Sequence, residues 1–195
     1  MTDLRPLFLA LADALDGDLA IEKRARDALV KAAPATPHPP FIPLSHHYDD
    51  ILSANDCHPV CALIQSAPIS WTPPTTSNDP AYVEDSKAKA HVEILGPGGF
   101  AHHDNLRIGL YGMQAGYEYG IRTHPAEEVF VMLAGSAEWK RGQAPYSPQT
   151  PGARIHHPSM TPHANRTTHS PFMSVYVWSG DVSTENYQYS GRTND

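Results

Sequence analysis

Three residues of this chain, His124, Glu128 and His163, have the types and the spacing to share one metal ion. They lie in two short motifs sixteen residues apart. One runs Gly116-Tyr-Glu-Tyr-Gly-Ile-Arg122-Thr-His124-Pro-Ala-Glu-Glu128 and on to Gly135; the other runs Gly152-Ala-Arg-Ile-His-His-Pro158-Ser-Met160-Thr-Pro-His163 and on to Thr167. Imidazole and carboxylate are the donors of Zn²⁺, Fe²⁺, Mn²⁺ or Ni²⁺ sites, and two His with one carboxylate leave coordination positions open. A substrate oxygen can occupy such a position. The chemistry implied is a metal-dependent reaction on a small molecule.

The element that must carry Glu128 is the run Glu127-Glu-Val-Phe-Val-Met-Leu133, which reads as a strand. Alternate residues of a strand share a face, so Glu128, Phe130 and Met132 point one way and Val129, Val131 and Leu133 the other. Two arrangements are open. Either Glu128 faces solvent and the three aliphatic residues face the core, or Glu128 is buried beside Phe and Met. Burial is expensive for a carboxylate unless it is paired or metal-bound. The second motif favours the metal, because His-His-Pro-Ser-Met-Thr-Pro-His is too rigid and too rich in His for an ordinary turn.

These motifs resemble those of the cupin superfamily, G-x5-H-x-H-x3-E-x6-G and G-x5-P-x-G-x2-H-x3-N. Every spacing is met, with Arg122 at the first His, Met160 at the second motif's Gly and Thr167 at its Asn. The resemblance implies a mainly β fold, the double-stranded β-helix barrel, here preceded by N-terminal α-helices. It does not by itself fix a reaction. A narrower resemblance covers most of the chain: helical N-terminal segments, His124-Pro-Ala-Glu-Glu-Val-Phe130, Leu133-Ala-Gly-Ser-Ala-Glu-Trp139 and His156-His-Pro-Ser-Met-Thr-Pro-His-Ala-Asn-Arg-Thr167 are similar to the Q-type dimethylsulfoniopropionate (DMSP) lyases. That family uses a metal-bound cupin to cleave DMSP to dimethyl sulfide and acrylate. Carried over by position, the resemblance implies one divalent ion (Zn, Fe or Mn) on His124, Glu128 and His163, with Tyr119 as the catalytic residue. Two positions depart from the pattern. The family has a Tyr, a metal ligand and proposed base, where this chain has Phe130, and a His where it has Arg122. A phenyl ring neither binds metal nor takes a proton, so the resemblance implies a weak lyase or another substrate.

Further residues are placed near the substrate. Arg122 can hold a carboxylate bidentately, and it must turn aside from a metal or pair with an acid. Phe130 shares the face of Glu128. Tyr117 and Tyr119 precede the ligand run, where a phenol reaches the cavity or else tethers the packing. Tyr176 and Trp178 alternate on one strand and form either an aromatic wall suited to a sulfonium cation or ordinary core. His156 and His157, before Pro158, are expected in a loop near the mouth.

A chain of 195 residues suits one domain with a small helical appendage. Its nineteen prolines favour a β-rich fold over a helix bundle, and a net charge of −7 argues against nucleic acid as partner. Cys57 and Cys61 are too few for a disulfide framework and read as free thiols. The early Asp3 and helically spaced apolar residues argue against a signal peptide, and no apolar run reaches the roughly 20 residues that span a bilayer. The expectation is a cytoplasmic protein, monomer or homodimer, with a small-molecule substrate and no membrane partner.

Leu4, Leu7, Phe8, Leu11 and Leu15 mark one face of a first helix, and Leu19–Ala33 reads as a second. Pro34–Pro43 is a stiff extended stretch, followed by short helices over His47–Leu52 and Pro59–Ser66. Strand-like runs follow at Lys89–Leu95, Leu106–Met113, Val129–Leu133, Ala137–Lys140 and Met173–Trp178. The organisation expected is a helical segment over 1–66, a linker over 67–80 and a metal-binding barrel over 81–195. Two other functions suit the same residues: a non-haem iron oxygenase on another small carboxylate, or a barrel that binds a small molecule without turnover.

Overall fold

Pro6 opens the first helix, α1 (Arg5–Ala14), where its missing N–H costs nothing. Helix α2 (Ala20–Lys31) carries Glu22 in its first turn and Lys31 in its last, each matching the helix dipole, and stops before Pro34. A computed structural model describes residues 3–192, so the outermost residues of the expected helical segment and barrel lie outside it. A 3₁₀ turn (His46–Tyr48) leads into α3 (Asp49–Leu52) and then α4 (Cys61–Ser66).

Among the described residues ten strands form two five-stranded antiparallel sheets. Sheet one has the order β1 (Lys89–Leu95), β2 (Leu106–Met113), β9 (Phe172–Ser179), β4 (Glu127–Gly135), β7 (Arg154–His157). Sheet two has the order β10 (Gln188–Gly191), β3 (Glu118–Thr123), β8 (His163–Arg166), β5 (Ala137–Arg141), β6 (Ser147–Gln149). Both open arrangements of the strand around Glu128 are resolved by β4 being buried on both faces. Val129, Val131 and Leu133 join a core shared with Leu7, Phe8, Leu11, Leu15, Ile21 and Leu29 of the helical layer. Phe130 and Met132 join a second, aromatic core inside the barrel, with Tyr111, Trp139, Phe172, Tyr176 and Trp178.

The helical layer is tied to sheet one by charge as well. Arg154 on β7 donates to the fully buried Glu22 at 2.9 Å and also pairs with Asp16. Cys57 and Cys61 are both free; Cys61, fully buried at the start of α4, donates to the Leu133 carbonyl of β4.

The stretch expected as a linker is not loose. Ile69 and Trp71 are buried, and Thr72 forms a bridge with His91 on β1. Residues expected to begin the barrel form instead a helix, α5 (Pro80–Ser86), whose start is fixed by Asp79 accepting from Ala81 and Tyr82. Among the described residues no helix is long and apolar enough to cross a membrane.

Candidate active site

Strand register builds the carboxylate's surroundings. On β4, Glu128 pairs with Trp178 of β9 on one side and with His157 of β7 on the other. Residues opposite one another in a ladder share a face, so both neighbours reach the carboxylate. Trp178 Nε1–H donates to Oε1 at 2.5 Å and His157 Nδ1 lies 3.0 Å from Oε2. Sheet two brings His163, paired across its ladder with Arg122, and His124 follows the end of β3. His163 Nε2 and His124 Nε2 stand 3.1 and 3.4 Å from Glu128 Oε2.

The tautomers suit a metal. His124 Nδ1 lies 3.0 Å from the Ala126 carbonyl and His163 Nδ1 lies 2.8 Å from that of Thr161. A carbonyl only accepts, so each Nδ1 carries the proton and each Nε2 keeps a lone pair aimed inward. Both Nε2 atoms are buried without a hydrogen-bond donor or acceptor. Orphaned lone pairs of this kind are costly in an interior, and one cation removes the cost for both. His124, Glu128 and His163 thus form a group that can hold a metal ion, with ligand atoms within 4.8 Å of one another. Electrostatics agree. Burial alone pushes the Glu128 carboxyl up, but the three imidazoles packed against it, His124 above all, hold it well below the usual carboxylate range. Burial, with the Arg122 charge, pushes His163 down to about 3 and keeps it neutral.

A cavity of about 310 Å³ opens beside this group, at the lower end of the range that holds drug-sized ligands (~300–1,000 Å³). Tyr111, Tyr119, Phe130, Tyr176, Trp178 and Tyr187 give it an aromatic lining, with Arg122, His91, Glu93 and Arg107 as polar members. Tyr119, Arg122, Phe130, Tyr176 and Trp178 therefore come together at one cavity. Tyr119 bonds through its hydroxyl to Tyr187, and burial raises both phenols well above their ordinary range. Among the described residues Arg122 forms no ion pair with an acid, although it shares the cavity lining with Glu128. It lies 3.9 Å over the Tyr119 ring and donates to Asn165 at 3.0 Å. Tyr176 lies flat across Gly109, where a Cβ would sit 2.6 Å from its ring, and meets His91 Nε2 at 2.8 Å.

Two expectations need correction. Tyr117 is 42% exposed and does not line the cavity, because it lies after the turn at Gly116 and before β3 begins, so strand alternation does not carry it inward with Tyr119. His157 is no loop residue: it ends strand β7, fully buried against Glu128 and stacked on His163 at 4.0 Å. His156, its neighbour, points the other way and meets Glu127 at 2.9 Å. Sequence reasoning also passed over Tyr111, Tyr187 and His91. The alternation of Tyr187 with Tyr189, and of Tyr111 with aliphatic neighbours on β2, was the available signal.

The family model for dimethylsulfoniopropionate lyase matches residues 18–174 of this chain. The curated lyase DddQ of Ruegeria pomeroyi is 41% identical over 91 residues, covering 47% of this chain and 45% of that protein, so the match spans about half the length of this relative. The crystal structure of DddQ from Ruegeria pomeroyi DSS-3 matches with a TM-score of 0.73 and 28% identity over 95% of this chain and 96% of that one. A crystal structure of the DMSP lyases RdDddP and RnDddQII matches in fold, with a TM-score of 0.69 and 22% identity over 94% and 95% of the two chains. The fold is the cupin double-stranded barrel with an added helical layer, and the chain belongs to the dimethylsulfoniopropionate lyase family.

Proposed function

We propose that this protein is a carbon–sulfur lyase that cleaves DMSP to dimethyl sulfide and acrylate by β-elimination. The observation that carries the reading is the pair of inward, unpartnered His Nε2 atoms beside Glu128, at the edge of an aromatic cavity. His124, Glu128 and His163 would hold one divalent ion (Zn, Fe or Mn), which supplies Lewis acidity toward a carboxylate and so acidifies the adjacent C–H. Trp178 and His157 fix the Glu128 carboxylate, leaving its orientation no freedom. Tyr176 and Trp178 present ring faces that suit a sulfonium cation. Tyr119, as its phenolate, takes the α-proton. The C–H electron pair becomes the C=C bond of acrylate, and the β-carbon–sulfur bond breaks with its pair leaving on dimethyl sulfide. Arg122 over the Tyr119 ring favours the phenolate. Aromatic walls with little access to water keep that charge unscreened.

Phe130 gives a second reading its one support. Without a phenol at that position the ligand set is two His and one carboxylate, which also suits Fe²⁺ and O₂ chemistry. Metal analysis of the purified protein, followed by headspace assay for dimethyl sulfide from DMSP with Fe²⁺, Mn²⁺ or Zn²⁺, tests the lyase. Dimethyl sulfide released at an equal rate without oxygen is the expected result. Consumption of oxygen without dimethyl sulfide would replace it with the oxygenase.

A further inference from the structure

We propose that Lys89 is a positioning residue for Tyr119, an amine built into the wall behind the phenol that takes up a proton as the phenol ionises and so stabilises the phenolate. Lys89 opens β1 and is buried, with only 5% of its surface exposed. Its Nζ sits 3.1 Å from the centroid of the Tyr119 ring and 5.0 Å from that of Tyr82. The amine does not line the cavity, so it touches no substrate. A buried lysine needs a reason, since an ammonium loses several hydrogen bonds to water when it enters an interior. Among the described residues its one hydrogen bond is to Ser86 Oγ at 3.3 Å. Asp85, the nearest acid on α5, is already held by Arg192 and the Tyr189 hydroxyl. The electron-rich face of Tyr119 is what remains for the amine.

The groups facing the pair are few and mostly neutral. Tyr119 meets Arg122 on its own strand, Tyr82 on α5, Tyr111 on β2, Tyr187 before β10 and Tyr189 on β10. Around Lys89 the charges are those of Arg122, Asp85 and Arg192. Burial, then Arg122, pushes the amine down to about 6, so it holds its proton weakly while Tyr119 is a neutral phenol. Creating a phenolate whose ring centroid stands 3.1 Å from Nζ makes protonation favourable. The amine and the phenol therefore change charge together, and the cavity keeps a neutral pair until chemistry demands an ion pair. Burial alone works strongly against ionising Tyr119, and Lys89 offsets part of that cost.

The inference rests on Tyr119 being the base, and its test reads the phenol directly as well as through turnover. Fluorotyrosine placed at position 119 of the metal-loaded protein reports ring ionisation by fluorine NMR. Lys89→Met should raise the ionisation pH by about one unit, a tenfold change, and should lower kcat on DMSP about tenfold with KM within twofold. Lys89→Arg should restore most of both. Lys89→Gln, which keeps a donor for Ser86, serves where methionine is not tolerated. An unshifted ionisation pH overturns the proposal, even if kcat falls, because that pattern marks a packing role. If the wild-type protein releases no dimethyl sulfide, the lyase reading fails, while the NMR titration still decides whether Lys89 tunes Tyr119.

Discussion

Both sheets contribute to the site, and they are built differently. The long central strands of sheet one, β9 and β4, are buried along nearly their whole length, outward under the helical layer and inward in the aromatic core. Sheet two is short-stranded, and β6 and β10 leave half or more of their residues in contact with solvent. Glu128, His157, Trp178, Tyr176 and Phe130 hang from the first; Tyr119, Arg122 and His163 hang from the second. The difference separates two tasks. A carboxylate clamped by cross-strand neighbours needs a rigid ladder, whereas neutral imidazoles oriented by backbone carbonyls two residues away carry their support with them.

The sharpest way to break this division is to remove the layer that covers sheet one. Deleting residues 1–33 exposes Val129, Val131, Leu133, Val175 and Val177 as one apolar face. Each buried aliphatic side chain is worth roughly 1.5–3 kcal/mol, and an exposed contiguous patch drives association. The truncated chain should be insoluble or unfolded by circular dichroism; a soluble chain with native Tm would show the helices to be dispensable.

Next in size is the loss of a donor. His163→Ala on sheet two should abolish metal retention in elemental analysis and reduce dimethyl sulfide below detection, while the exposed His38→Ala changes neither. Glu128→Ala should do the same and also destabilise the fold by about 1–3 kcal/mol, because the Trp178 N–H and His157 lose their acceptor. Equal denaturant midpoints for the two variants would contradict the contrast between the sheets.

Phe130→Tyr adds a phenol to the inward face of sheet one, where the ring stands 6.0 Å from that of His157. General-base catalysis typically contributes about 10²–10⁴-fold, and a gain of at least tenfold in DMSP cleavage is expected. If Tyr119→Phe instead removes all activity and Phe130→Tyr leaves it unchanged, sheet two alone supplies the base.

A pH titration of the metal-free protein addresses both sheets at once. Burial holds His91 on β1 down to about 4 and His163 on β8 down to about 3. An unfolded chain protonates both below about pH 6.5. The unfolded state then binds more protons, so the contribution is complete above that pH and is lost as pH falls toward the native values. The Tm of chelator-treated protein should decline steadily below about pH 6.5; a flat profile down to pH 4 would refute the assignment of neutral imidazoles.

The smallest effect belongs to Met160, whose φ of 60° is the left-handed conformation for which the cupin pattern supplies Gly. An L side chain there costs roughly 1–2 kcal/mol, partly offset by the extra freedom of Gly in the unfolded chain. Met160→Gly should raise stability by less than about 1 kcal/mol in urea denaturation, without changing activity.

Legibility in the sequence followed the same division. Strands β1, β2, β4 and β9 were readable because apolar runs mark them, and β5 because Ala137 and Trp139 alternate with charged residues. Strands β3 and β8 were not, because Tyr119, Arg122, His163 and Asn165 put polar atoms where a hydrophobic pattern expects a core. The His124, Glu128 and His163 group was legible through the residue types and spacing of the two motifs taken together. His157 was misplaced because His-His-Pro looks like a turn, whereas Pro158 ends a strand and leaves His157 paired with Glu128. Lys89 stood at a strand start and gave no sign that an aromatic cage would enclose it.

The thiol of Cys61 gives the helical layer a built-in reporter. Burial pushes that thiol up to about 12, and its hydrogen lies against the Leu133 carbonyl. Alkylating reagents react with thiolates, so labelling of Cys61 must wait for the layer to lift from β4, whereas the less buried Cys57 need not. The ratio of the two labelling rates is a measure of local opening at equilibrium. It reads how often the cover over sheet one comes away, in a protein whose aromatic cavity lies on the opposite face of the same strand.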